Sequence, residues 1–310
     1  MTTGVKTLDR PIGRIAVRAI DYLSLMKPEL TGLSVFTALF GTYLAQTAGF
    51  ELRPFLVVFA GTLLVGGGAG TLNQYIERRE DSLMKRTERR PLPALRVMPA
   101  EALALGTLLS VVGVVLLFTA GNFLSGMTAF VTSASYLFLY TPLKRFTPAA
   151  TFIGGIPGAL PPVIGWTVVR NEIGVEAVLL FMILFAWQMP HFYSLAWLYR
   201  RDYARAGYAI LTVRDTTGIR TARRMVLYST VLVILAFATY LAGMTGVASS
   251  ALAFVLGGGM LLLSWKFHRS IRSAPTEEQQ RTMNNLARRL FFASLIYLPL
   301  LILGISADTL

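Results

Sequence analysis

Residues 70–92 read GTLNQYIERREDSLMKRTERRPL, and a glycine-rich apolar run of transmembrane length feeds directly into them. Asn73, Glu77 and Asp81 stand at i, i+4 and i+8, so a helix that continues through them projects all three from one face. Four cations follow at once: Lys85, Arg86, Arg89 and Arg90. Two carboxylates and an amide beside four cations suit a polyanion bridged by a divalent metal, because hard cations such as Mg²⁺ take carboxylate and phosphate oxygens. The competing reading is a helix end that leaves the membrane with its charges solvated and paired. For the Arg and Glu side chains in general the two readings stand level. For Asn73, Glu77 and Asp81 together the first is favoured, because a polar side chain at the edge of the hydrocarbon is costly without a partner or a task.

The remainder of the chain says where this stretch sits. Of 310 residues, 54% are hydrophobic and 15% charged, against about 25% charged in a soluble domain. Nine segments have the length and apolarity of membrane helices: 30–50, 54–76, 100–120, 122–140, 149–169, 174–198, 225–243, 247–267 and 290–307. The expected fold is all-α: a polytopic membrane protein of nine transmembrane helices around a central cavity that opens to the cytoplasmic side. There is no cysteine, which excludes disulfides, thiolate-bound metals and a thiol nucleophile.

With the N-terminus in the cytoplasm, 27 of the 29 Lys and Arg residues fall on the cytoplasmic side. The exceptions are Arg53 and Arg170. This bias sets the orientation and places the C-terminus on the opposite side of the inner (plasma) membrane. It also accounts for the net charge of +13 through the anionic lipid surface, with no nucleic acid required.

Residues 1–26 read as a cytoplasmic amphipathic segment, and 27–310 as one membrane domain. In the first, Ile12, Ile15, Ala16, Ala19, Ile20 and Leu23 recur at helical spacing between charges, as in a helix lying on the membrane surface. Lys27-Pro28-Glu29 opens the first span, with proline where a missing N–H is harmless. Gly66, Gly67, Gly68 and Gly70 fit close helix packing better than approach to a ligand. Lys144 and Arg145, after Tyr136–Tyr140, serve equally well as phosphate ligands or as interfacial anchors. Residues 153–162 hold three glycines and three prolines, which reads as a broken, cavity-lining helix. Trp187, Gln188 and His191 cluster within an apolar span, and eleven residues, close to three turns, separate His191 from Asp202. Asp202 lies among Arg200, Arg201 and Arg205, so two acid-and-base loops on one side suggest one site between two halves. His268, beside Lys266 and Arg269, reads as interfacial.

With these residues in view the chain resembles the intramembrane prenyltransferase (UbiA) superfamily, and within it the branch that prenylates heme. The N-x-x-x-D-x-x-x-D motif is Asn73, Glu77 and Asp81, with Glu at the middle position. M-x-R-T-x-x-R-P-L is Met84 to Leu92, Y-T-x-L-K-R is Tyr140 to Arg145, and W-Q-x-P-H-F is Trp187 to Phe192. The glycine- and proline-rich element spans Ile153 to Trp166. Two departures stand out. The second acidic motif offers Asp202 alone, which disfavours a second acidic Mg²⁺ cluster, and Tyr208-Ala209-Ile210-Leu211 replaces the branch's usual Pro-Met-Leu sequence.

The resemblance implies transfer of the farnesyl group of farnesyl diphosphate to the 2-vinyl group of heme B, with water added, giving heme O. Glu77, Asp81 and Asp202 would hold Mg²⁺ on the diphosphate with help from Asn73. Arg86, Arg90, Lys144 and Arg145 would neutralise its remaining charge, and Tyr136 and Tyr140 would face the allylic cation. His191, next to Trp187 and Gln188, would ligate the heme iron, position the porphyrin or accept a proton. Membrane lipid and a downstream heme A synthase or terminal oxidase are the implied partners. Two other readings stay open: prenylation of a different aromatic or porphyrin-like acceptor, and transport of an anionic substrate past the broken helix.

Overall fold

The computed structural model describes residues 11–47, 49–271 and 276–308, and every regular element among them is a helix. In chain order these are α1 (Pro11–Leu25), α2 (Pro28–Ala45), α3 (Leu52–Ile76), α4 (Arg78–Ser82), α5 (Pro99–Gly121) and α6 (Phe123–Leu143). There follow α7 (Ala150–Ala159), α8 (Pro161–Arg170), α9 (Val175–Leu198), α10 (Arg200–Arg205), α11 (Leu211–Arg214), α12 (Ile219–Leu241), α13 (Val247–Arg269) and α14 (Glu277–Asp308).

Taking α7 and α8 as one broken span, eight helices among the described residues are long and apolar enough to cross a membrane. The expected first span, 30–50, forms α2 and ends at Ala45. Glu29 and its hydroxyl residues leave it less apolar than the other eight. It is packed along α3 and α8 all the same. The helix that carries the last apolar segment begins well before residue 290, because the polar turns from Glu277 continue it.

The first ten residues of the amphipathic segment lie outside the described residues, as do the side chains of Ile12, Ile15 and Ala16. The rest of α1 leaves Ile20 and Leu23 exposed, as an interfacial helix requires. The buried Asp21 carboxylate accepts from Arg96 Nε at 2.9 Å, and Arg18 pairs with Glu101 at 2.8 Å. Gln74 donates to the Ser24 and Leu25 carbonyls, so α1 is tied to the end of α3.

α2, α3, α6 and α8 form a closed ring, each packed on the next. α9, α12, α13 and α14 form a second group, reached from the first through α7 and α8. The break between α7 and α8 falls at Leu160, where Pro161 and Pro162 supply no N–H, and Pro157 interrupts α7 from within. The α2–α8 crossing is backbone on backbone. A Cβ at Gly41 would fall 2.1 Å from the Pro162 carbonyl oxygen, so only glycine fits there.

Candidate active site

The helix through Asn73, Glu77 and Asp81 is interrupted once, at Glu77, between α3 and α4. The i→i−4 bonds survive: Glu77 N–H donates to Asn73 C=O at 2.9 Å, and Asp81 N–H to Glu77 C=O at 2.8 Å. The three side chains therefore stay on one side. They line a cavity of about 170 Å³ at the end of the bundle where the 77–98, 144–149 and 199–210 loops meet. All three are buried: Asn73 is 0%, Glu77 4% and Asp81 1% exposed.

The loops bring cations to the acids. Lys144 Nζ lies 2.5 Å from Glu77 Oε1, an ion contact without hydrogen-bond alignment. Arg90 donates to Asp81 Oδ2 at 2.8 Å, and Arg145 pairs with Glu80 at 2.7 Å. Arg86 donates to the Tyr203 hydroxyl at 3.1 Å and lies over the Tyr199 and Tyr203 rings. The Ala209 N–H donates to the Lys144 carbonyl at 2.8 Å, which joins the loop after α10 to the one after α6.

Burial pushes the Glu77 carboxyl up, but Lys144 and Lys27 outweigh it and hold it below its ordinary value. Burial pulls the Lys144 ammonium down, and Glu77 outweighs that, so it stays charged well above the ordinary lysine range. Burial and the Glu77 charge push the Tyr208 phenol upward, so it remains a neutral donor. Its hydroxyl has no aligned hydrogen-bond partner.

Tyr136 and Tyr140 fall in a π-helical turn, residues 135–140, which sets their rings 5.6 Å apart and both against the cavity. The Lys144 ammonium sits 4.5 Å above the Tyr140 ring.

Lys27 also lines this cavity, a position that its place in the sequence does not disclose. The sequence places it at the start of a span; the structure runs its side chain into the cavity. Its backbone is left-handed, with φ at 50°, a costly pose for a residue with a Cβ. Its ammonium bonds to Asn73 Oδ1 and lies 3.4 Å from the Tyr136 hydroxyl. Asn73 passes its own amide N–H on to Thr141 Oγ1 at 2.9 Å. The available signal was a lysine directly before Pro28, on the same membrane side as the acidic loop.

Burial, with Arg90 nearby, pulls the Lys27 ammonium down to about 7. Above that pH the amine is largely neutral in the substrate-free chain, whereas an ordinary lysine loses its proton near 10.4. Acylation of Lys27 is therefore expected to rise steeply as the pH passes about 7. Mg²⁺ with inorganic pyrophosphate should suppress it, because an anion beside the amine restores its proton. Peptide mapping of the acylated chain checks this; equal labelling on both sides of neutrality contradicts it.

A second cavity, about 200 Å³ and mostly apolar, leads inward from the first between α2, α3, α6, α7 and α8. The two share Lys27, Leu30, Tyr136, Tyr140 and Phe192. Gly66, Gly70, Gly154 and Gly158 border the inner one, and a Cβ at Gly66 would crowd Thr31, at Gly154 the Tyr140 ring and at Gly158 the Gln188 amide, so these glycines admit neighbouring groups at close range.

The remaining expected residues lie elsewhere. Asp202 pairs with Arg205 on α10 and does not line the cavity. The helix is interrupted at Tyr199, but Tyr199 N–H still donates to Leu195 C=O and Tyr203 N–H to Tyr199 C=O, both at 3.1 Å, so it is the side-chain partners and not a lost register that keep His191 and Asp202 off the cavity. Trp187 Nε1 donates to the Ser294 carbonyl at 2.7 Å, and Gln188 Nε2 to the Gly155 carbonyl at 2.7 Å. His191 Nδ1 lies 2.8 Å from Ser294 Oγ, with the ring stacked between Trp187 and Phe291. Of that element, Phe192 reaches the cavity.

Glu77 and Asp81 are hard oxygen donors, and one Glu77 oxygen lacks an aligned donor of its own. With cations around them they fit Mg²⁺ shared with phosphate oxygens. Among the described residues no third Asp, Glu or His joins them.

The sequence matches the UbiA prenyltransferase family over residues 34–296. It is 40% identical over 290 residues to the protoheme IX farnesyltransferase of Solibacter usitatus (strain Ellin6076), covering 91% of this chain and 96% of that one. It is 37% identical over 311 residues to the protoheme IX farnesyltransferase of Koribacter versatilis (strain Ellin345), covering 99% of each. Among solved structures, a digeranylgeranylglyceryl phosphate synthase superposes with a TM-score of 0.75 at 16% identity, over 93% of this chain and 98% of that one. A UbiA homologue from Archaeoglobus fulgidus bound to GPP and Mg²⁺ gives 0.58 at 15% identity, over 92% and 99%. At these identities the structures share the fold.

Proposed function

The chain belongs to the UbiA prenyltransferase family, and from that premise we infer that it transfers the farnesyl group of farnesyl diphosphate to the 2-vinyl group of heme B, with addition of water, giving heme O and diphosphate. The observation that carries this reading is the convergence of Glu77 and Asp81 with Lys27, Arg86, Arg90 and Lys144 at the mouth of an apolar tunnel. A prenyl diphosphate has the same two parts, an anionic head and a greasy tail. Transport of an anion fits less well, because the charges gather at one end of the bundle rather than midway.

In this reading the tail lies in the tunnel and the head lies among the cations. Glu77 and Asp81 would hold Mg²⁺, with Asn73 keeping Lys27 in position beside them. When bound, the metal neutralises charge on the diphosphate and makes it a better leaving group. Arg90, Lys144 and Arg86 stabilise the charge that grows on the departing oxygens, and their order in advance is the catalytic contribution. Arg145, held by Glu80, stands at the rim. Tyr136 and Tyr140 present ring faces to the allylic cation where the two cavities meet. The vinyl group of heme B adds to that cation through its terminal carbon, and water adds to the carbocation left on the inner carbon and releases a proton to solvent, giving the alcohol. We place the mouth on the cytoplasmic face of the inner membrane, following the distribution of Lys and Arg.

Incubating the detergent-solubilised protein with heme B, farnesyl diphosphate and Mg²⁺ tests the reading by mass spectrometry of the extracted heme. The expected product is hydroxyethylfarnesyl heme, and a chelator such as EDTA should stop its formation. Heme B recovered unchanged from the complete mixture would sink the assignment.

A further inference from the structure

Tyr208 opens the stretch in which this chain departs from the heme branch, and it lines the acidic cavity. Asp202, the acid expected from the same loop, pairs with Arg205 outside that cavity. The loop thus brings a phenol to the site where a carboxylate was expected.

The phenol is held in place. Tyr208 is 3% exposed and packs in a cluster with Met84, Ala206 and Ile210. Its N–H donates to Tyr203 C=O at 3.0 Å, and the next residue, Ala209, donates to Lys144 C=O at 2.8 Å. The Tyr208 hydroxyl lies beside the Glu77 carboxylate. Yet Tyr208 Oη and Glu77 Oε1 are both buried without an aligned hydrogen bond. A buried hydroxyl left in that state destabilises the empty site.

Glu77 has a second neighbour, the Lys144 ammonium, 2.5 Å from Oε1. The two neighbours differ in what a metal does to them. A divalent cation on Glu77 repels an ammonium on the same carboxylate at close range. A diphosphate bound alongside attracts that ammonium, and the flexible four-carbon stem of lysine lets it follow. A phenol is neutral at physiological pH, so it meets no such repulsion and stays.

We propose that Tyr208 is a positioning residue for the metal: its hydroxyl donates to Glu77 once Lys144 has left that carboxylate for the diphosphate. The proposal rests on the reading that Glu77 and Asp81 hold Mg²⁺ on a prenyl diphosphate. A carboxylate that ligates a metal is kept in orientation by an outer hydrogen bond, and losing such a partner weakens metal binding by about ten- to a hundredfold.

Tyr208→Phe keeps the ring and removes the hydroxyl. Without ligand it should melt no lower than wild type, because the lost oxygen had no partner. Its calorimetric Kd for inorganic pyrophosphate with Mg²⁺ should rise at least about tenfold. The Mg²⁺ concentration that gives half the maximal rate of heme O formation should rise in step, with kcat at saturating Mg²⁺ nearly kept. In a Glu77→Gln background, adding Tyr208→Phe should weaken pyrophosphate binding by less than about twofold, since the phenol acts through that carboxylate. Unchanged pyrophosphate binding in Tyr208→Phe overturns the proposal. So does a lower melting temperature without ligand, which marks the hydroxyl as structural, and so does a loss as large in Glu77→Gln as in wild type. Wild type that binds pyrophosphate more tightly than Tyr208→Phe yet leaves heme B unmodified overturns the heme reading and leaves Tyr208 in its role.

Discussion

Asp81→Ala is expected to lower kcat/KM for heme O formation by at least about a thousandfold, roughly 4 kcal/mol of transition-state stabilisation. Asp81 is 1% exposed and holds Arg90 at 2.8 Å, so its loss removes a metal-binding oxygen and releases a cation from its place. Asp81→Asn separates these effects from mere loss of shape. It keeps the volume and an oxygen but removes the charge, and it should fall nearly as far with little change in melting temperature. The measurement is initial rate against farnesyl diphosphate at saturating Mg²⁺. An Asp81→Asn protein that keeps a tenth or more of wild-type activity would contradict the assigned role.

Gly165→Ala is expected to cost about 3 kcal/mol or more of stability, at or beyond the upper end for overpacked sites. A Cβ at Gly165 would fall 1.9 Å from the Ala38 carbonyl oxygen and 2.8 Å from the Thr42 nitrogen. Both are backbone atoms, so no rotamer change relieves the contact, and α2 must move away from α8. Lys27 stands at the start of α2 and α8 helps close the tunnel, so product formation should fall as well. Gly258→Ala and Gly259→Ala are the controls, since a Cβ at either meets nothing within 4 Å. Thermal unfolding in detergent checks the comparison: a clear drop for Gly165→Ala and none for the controls. Equal melting of all four proteins would show that the crossing tolerates separation.

The parts of the site that could be read from sequence are the local ones. Asn73, Glu77 and Asp81 are four residues apart, and helical spacing survives even the break at Glu77. Three prolines in ten residues break a helix wherever it packs. Local spacing says less where a side chain has a choice of partners. Asp202 found Arg205 three residues on, and a neighbour that near needs no cavity. His191 found Ser294, 103 residues away, and no spacing within the 187–202 stretch could have signalled that. Lys27 was passed over for the same reason, because its partner Asn73 lies 46 residues along the chain.

Local sequence is enough to show a helical membrane chain, which of its ends carry positive charge, and that acids and an amide emerge together where one span stops. These follow from hydropathy, charge and a period of 3.6, all properties of neighbouring residues. Which polar groups share the cavity, the entry of Lys27 into it and the apolar cavity that leads away from it depend on packing between distant helices. A helix in lipid can turn about its own axis at little cost until neighbours lock it. Which face looks inward is therefore set by packing contacts such as Gly41 on Pro162 and Gly165 on Ala38, between residues more than a hundred positions apart.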